Sequence, residues 1–215
     1  MDTQYRTIGR EAADEFVERR SRFIGYIRPV TTEADAQAFI AEKKKQHWDA
    51  THNVSAYVLR DGQIRRYSDD GEPQGTAGIP VLDVLLKEGL TDCVVVVTRY
   101  FGGVLLGAGG LVRAYSHGAK LAVDAGGRVD MRLCDRLRIV CDYAQYGKVG
   151  PLIAAGGGVQ ENVEFTDTVA LYFHLPRGLL PPLQKQLTEL SAGTLCCEVL
   201  GEEYFPFPVP VENIH

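Results

Sequence analysis

The stretch Val94–Lys120, VVVVTRYFGGVLLGAGGLVRAYSHGAK, decides the architecture. It opens on a β-branched run whose lack of alternation predicts a strand, Val94–Thr98, buried on both faces. Gly102, Gly103, Gly107, Gly109 and Gly110 follow, flanked by Arg99 and Arg113, and lead into helical spacing over Leu111–Ala125 that stops at Gly126-Gly127. Glycine at that density implies a backbone that turns sharply or lies close against a neighbour. A turn feeding a helix N-terminus also gathers outward N–H groups and partial positive charge, the ingredients of an anion site.

The familiar phosphate templates fail on this stretch. A Walker A loop needs Lys and Ser/Thr after its second glycine, where the chain has Ala108 and Gly109. The dinucleotide pattern started at Gly107 and Gly109 needs glycine at 112, where Val112 stands. On the helix, Leu111, Tyr115, Gly118 and Ala122 share one face, and Arg113, His117 and Lys120 another. Arg99 ends a buried strand, so its charge requires either a carboxylate of the chain or an anionic ligand.

Working outward, the strand Arg22–Val30 and a helix from Thr32 to about Lys45 come first, with Thr32 and Asp35 as a start signal and Lys43, Lys44 and Lys45 as a solvated last turn. Strands His52–Leu59 and Ile64–Ser68 flank the hairpin signal Asp61-Gly62. Asp69, Asp70 and Glu72 sit in a turn before a short helix, Ile79–Glu88. Those carboxylates are also the residue type that binds magnesium, with His52 as a base if the fold brings it near.

From Asp135 the pattern restarts as strand Leu137–Asp142, helix Tyr146–Ala155, strands Val159–Phe165 and Thr168–Leu175, helix Leu179–Leu190 and strand Thr194–Leu200. This βαββαβ order predicts a ferredoxin-like second domain. The expected division is 1–131, 132–204 and an extended, peripheral tail at 205–215.

The net charge is −5, with 17 basic against 18 acidic residues up to position 130 and 6 against 10 beyond it, so bulk positive charge is excluded as a grip on nucleic acid. Cys93, Cys134, Cys141, Cys196 and Cys197 form no C-x-x-C pair and read as small hydrophobes in a reducing compartment. No apolar run approaches the roughly 20 residues of a membrane helix, and the N-terminus is too polar for a signal peptide. The cytoplasm is the expected location, with no membrane partner.

SDDGEPQGTAGIPVL (68–82) followed by VVVVTRYFGGVLLGAGGLVRAY (94–115) resembles the signature of the IMPACT family. Gly78, Arg99-Tyr100-Phe101-Gly102-Gly103 and Leu106-Gly107 fit it without a break. The resemblance implies an α+β chain. Its N-terminal domain would have the fold of the second domain of a small-subunit ribosomal protein and of elongation factor G domain IV. Its ferredoxin-like C-terminal domain would be similar to domain V of that factor. For function it implies a link to translation and no catalytic residues. Eukaryotic members resemble regulators that bind the activator of an initiation-factor kinase through a chain with an extra N-terminal domain.

The expectation is a non-enzymatic protein bound to RNA, the ribosome or a translation-related protein, with no cofactor and no metal. The candidate phosphate-binding residues are Arg99, Tyr100, Gly102, Gly103, Gly107, Gly109, Gly110, Arg113 and Lys120, with Asp69, Asp70 and Glu72 as a supporting acidic turn and His52 as a further polar group. A metal-dependent enzyme acting on a phosphorylated metabolite stands as the alternative, with those three carboxylates as ligands and the glycine loop as cradle. Another is a protein-interaction module for translation factors. The sequence sets no oligomeric state.

Overall fold

The computed structural model describes residues 3–209. Among them, ten strands and five α-helices form a mixed α+β architecture with two five-stranded sheets. The described residues divide into two compact units, 5–130 and 131–207, the latter with residues 3–4.

In the first unit, after β1 (Gln4–Ile8), the strands β2 (Ala12–Glu18), β3 (Ser21–Pro29), β4 (His52–Leu59), β5 (Ile64–Ser68) and β6 (Cys93–Tyr100) form an antiparallel sheet in the order β2-β3-β6-β4-β5. The valine run takes the central position because both its faces find cover. Val95 and Val97 pack with α2 (Gly78–Lys87) and α3 (Gly107–Gly126), while Val94 and Val96 pack with Phe39 and Ile40 of α1 (Glu33–Gln46) on the other side. The helix α1 starts where the Thr32 hydroxyl accepts from the Asp35 N–H at 3.1 Å.

Several boundaries depart from the sequence reading. β2 was not foreseen: it is an edge strand in which only Ala12 and Phe16 are half-buried, too weak an alternation to read. α3 begins at Gly107 rather than Leu111, so Gly107, Gly109 and Gly110 are its first turn and not a loop. Lys43 is not solvated; its ammonium lies 4.9 Å from the Tyr26 ring centroid and 5.0 Å from that of Phe39. Trp48, just past α1, is 84% exposed.

α3 crosses β3 at glycine. A Cβ on Gly25 would lie 2.2 Å from the Gly118 carbonyl oxygen, and one on Gly118 would lie 3.0 Å from Val97. This close approach lets the helix lie directly on the strands, which fixes where its N-terminal turn emerges.

The second unit contains the rest of β7 (Arg128–Cys141), then α4 (Tyr143–Ala155), β8 (Val159–Phe165), β9 (Val169–Pro176), α5 (Leu180–Ser191) and β10 (Glu198–Pro208). This is the βαββαβ succession, with β7-β9-β8 in line and β10 against β7. Leu137, Ile139, Leu171, Phe173, Leu183 and Leu187 form its core. α4 starts earlier than Tyr146 because Asp142 and Gln145 close a capping box.

The last strand starts four residues later than expected and runs through Pro208, so residues 205–208 are strand rather than tail; residues 210–215 lie outside the described ones. The Gln184 side chain explains the late start: it donates to the Leu195 carbonyl at 2.9 Å and accepts from the Cys197 N–H at 2.9 Å, satisfying this backbone without a ladder. Cys93, Cys134 and Cys141 are buried, but Cys196 is exposed in this connection, outside any strand, against the reading of it as a small hydrophobe. Burial pushes the Cys93 thiol up to about 12, with Asp92 adding to it.

Candidate functional site

Antiparallel register sets His52 of β4 opposite Arg99 of β6, and Phe23 of β3 opposite Arg99 on the other side. The loop after β5 brings Glu72 to the same point, and α3 brings Tyr115. The Glu72 Oε1 accepts from Arg99 Nη1 at 2.6 Å and from the Tyr115 hydroxyl at 2.7 Å. Arg99 and Glu72 are 5% and 8% exposed. Burial first, and then the bond to Glu72, hold the Tyr115 phenol far above its ordinary range, so it stays a donor.

The partner of Arg99 is therefore a carboxylate of the chain itself, and no phosphate is needed to balance its charge. Its guanidinium sits between two rings, 5.5 Å from the centroid of Phe23 and 5.4 Å from that of Phe101. Its Nε is buried and has no hydrogen-bond partner. His52 Nδ1 donates to the Asp70 carbonyl at 2.8 Å, and its Nε2 lies 3.7 Å from Glu72 Oε2.

The three carboxylates of the acidic turn do not converge. Asp69 accepts from the N–H groups of Gly75, Ala77 and Gly78 at 2.9, 3.1 and 2.7 Å, which folds the loop and starts α2. Asp70 accepts from Lys44 Nζ and from the Asn53 N–H, both at 2.6 Å. Among the described residues no group of three or more His, Cys, Asp or Glu side chains is placed to hold a metal ion.

Two clefts open here, and Leu106 lines both. The first, about 390 Å³, has His52, Glu72 and Arg99 among walls of Pro73, Phe101, Leu105, Leu106 and Leu111. Phe101 and Leu105 are exposed on its rim. The second, about 320 Å³, is lined by Arg19, Arg113, His117, Glu18, Phe16 and Gly110. Among the described residues Arg113 makes no hydrogen bond or ion pair, and its Nη1 lies 3.8 Å from where a Cβ on Gly109 would be. No side chain caps the start of α3, so its first-turn N–H groups are open at exposed Gly107, Ala108 and Gly109.

Arg99 and Arg113 thus belong to different clefts. Lys120 belongs to neither: it pairs with Glu88 at 2.6 Å and Asp124 at 3.1 Å, in a cluster shared with Arg128. The Tyr100 hydroxyl is engaged with His47 Nδ1 at 2.8 Å and donates to Asp49 at 3.2 Å. Gly102 is required by approach, since its Cβ would lie 2.1 Å from the Arg20 carbonyl. Gly103 and Gly107 have φ of +82° and +69°.

Sequence reasoning missed Arg19 and Arg20, which turn the β2–β3 hairpin with φ of 45° and 68° and carry no glycine or asparagine to mark it. It also missed Phe101 and Leu105 as rim residues. Their one signal was large apolar side chains inside a glycine-rich segment, where small or polar ones are usual.

Residues 19–123 match the Impact N-terminal domain, and residues 139–194 match a domain of unknown function, DUF1949. The chain is similar to the IMPACT family member YvyE of Bacillus subtilis, 39% identical over 190 residues that cover 88% of each chain. It is 33% identical to the IMPACT family member YigZ of Escherichia coli over 180 residues, 82% of this chain and 88% of that one. A solved structure described as a hypothetical protein aligns with a TM-score of 0.59 at 30% identity, covering 94% of this chain and all of that one.

Proposed function

Since the chain belongs to the IMPACT family, we propose that it is a cytosolic, non-enzymatic protein that binds structured RNA, on the ribosome or beside it, through the second cleft. The observation that carries this reading is Arg113: an exposed, unengaged guanidinium, among the described residues, beside the uncapped first turn of a long helix. Arg19 lines the same cleft, and Arg20 is exposed at the adjoining turn. Guanidinium groups and helix N–H groups contact phosphates without reading sequence. A local patch of this kind works in a chain of net charge −5 because exposed charges beyond about 10 Å are screened at ordinary salt.

The domains expected from the resemblance support the same reading. A 1–131 domain like elongation factor G domain IV and a ferredoxin-like 132–204 domain like its domain V would suit contact with ribosomal RNA. The metal-enzyme alternative loses its support, because Asp69, Asp70 and Glu72 each serve a different set of partners.

Arg19→Ala with Arg113→Ala is expected to lower affinity for folded RNA roughly tenfold and to reduce the slope of log affinity against log salt by about 1–2. Filter binding across a salt series checks this. An unchanged slope in the double variant would reject the cleft as the phosphate contact.

A further inference from the structure

Trp48 and Leu105 are the most exposed large apolar side chains among the described residues, and Phe101 is exposed as well. An uncovered indole is ordinary on a loose tip, but Trp48 stands on a fixed turn. The His47 carbonyl accepts from the Ala50 N–H at 3.1 Å and from the Asn53 side-chain amide at 3.3 Å. Both ring nitrogens of His47 are engaged, with the Tyr26 hydroxyl at 2.7 Å and that of Tyr100 at 2.8 Å. A large ring carried on a pinned turn and left without cover is the arrangement of a binding surface formed in advance.

The second ring emerges at the same end of the first sheet. Arg22 of β3 lies opposite Tyr100, and His52 of β4 lies opposite Arg99, so the β2–β3 hairpin, the α1–β4 turn and the segment after β6 come out together. The Phe101 N–H donates to the Thr51 hydroxyl at 3.1 Å, and Gly102 packs its backbone against that of Arg20. The Tyr100 hydroxyl bonds His47 and Asp49, the two neighbours of Trp48, which ties the turn to the strand that leads into Phe101.

The hairpin supplies positive charge beside these rings. Arg19 and Arg20 hold both of its corner positions at positive φ, where glycine or asparagine is less strained, so arginine there is explained by its side chain. Among the described residues Arg20 makes no hydrogen bond or ion pair, and Arg113 lines the same cleft as Arg19. Exposed rings beside uncommitted arginines are the two parts of a single-strand site: every base has a face to stack, and its phosphates need only positive charge. In a duplex those faces are already covered by neighbouring bases, so the arginines can be met but the rings cannot.

We propose that Trp48 and Phe101 each stack an unpaired base of bound RNA while Arg19, Arg20 and Arg113 hold its phosphates. The proposal rests on the RNA-binding reading and narrows it to unpaired segments, bound without regard to sequence.

The test is fluorescence anisotropy with the full chain and three labelled probes: a single-stranded RNA of about 12 nucleotides, its duplex, and the same strand with alternate bases removed. The intact single strand is expected to bind about tenfold tighter than either of the others, while the stripped strand keeps the same dependence on salt. Trp48→Ala and Phe101→Ala, both at exposed positions, are each expected to weaken the intact strand about tenfold and to leave the duplex unchanged. Trp48→Phe, which keeps a ring, is expected to recover most of the loss. Equal affinity for the three probes with a normal salt slope overturns the stacking surface and leaves the RNA reading standing. Wild-type affinity in both alanine variants also overturns it, and leaves a protein surface as the occupant of the exposed rings. No binding to any probe or to folded RNA overturns both readings.

Discussion

Glu72 Oε1 receives two donors in a largely buried place, so each donor carries more than an ordinary surface contact. Tyr115→Phe removes one of them and little else, since the ring stays edge-on to Phe23 at 5.4 Å. The expected cost is about 1–3 kcal/mol in urea unfolding. Glu72→Ala strands the Arg99 charge and is expected to cost more, about 3–5 kcal/mol. At this scale the sequence was half legible. That a charge at the end of a buried strand needs a partner follows from the run Val94–Arg99 alone. Which carboxylate answers it depends on the loop that Asp69 ties to α2, a long-range closure that no spacing rule encodes. Tyr115 read as an ordinary core position on the apolar face of its helix, because a hydroxyl's partner on another element leaves no trace in the periodicity.

Elements meet where side chains are missing. β3 and α3 touch through Gly25 and Gly118, and a methyl at Gly25 would collide with backbone, which has no rotamer to move. Gly25→Ala is expected to lift the helix off the sheet, cost about 1–3 kcal/mol by denaturant midpoint, and weaken RNA binding by displacing the first turn of α3. Strands with a strong one-sided or two-sided apolar pattern were read from sequence to within about two residues. β1 and β2 were not foreseen, β7 starts nine residues before the expected Leu137, and β10 starts four residues late: β2 and β10 are largely exposed strands held by pairing, and Glu198–Pro208 has only Tyr204, Phe205 and Phe207 even partly covered. The helix start at Gly107 was missed because glycine argues against helix, while here three glycines leave the first turn open to whatever approaches it.

Among the described residues the hydrophobic cores are separate, one on each face of the first sheet and one in the second unit. In the sequence the hydrophobic pattern restarts at Asp135, beyond the glycines that end α3. Charge at this scale is uninformative about function, since the acidic excess hides a basic patch made by residues as far apart in sequence as Arg19 and Arg113.

The exposed Trp48 has an optical consequence. It is the sole tryptophan and is already bathed in solvent in the folded chain. Its emission is therefore expected to start red-shifted and to change little when urea unfolds the protein, while far-UV circular dichroism reports the transition in full. A conventional fluorescence melt would show a chain that looks unfolded from the outset, and the same indole would brighten or quench only when something settles on the surface beside it.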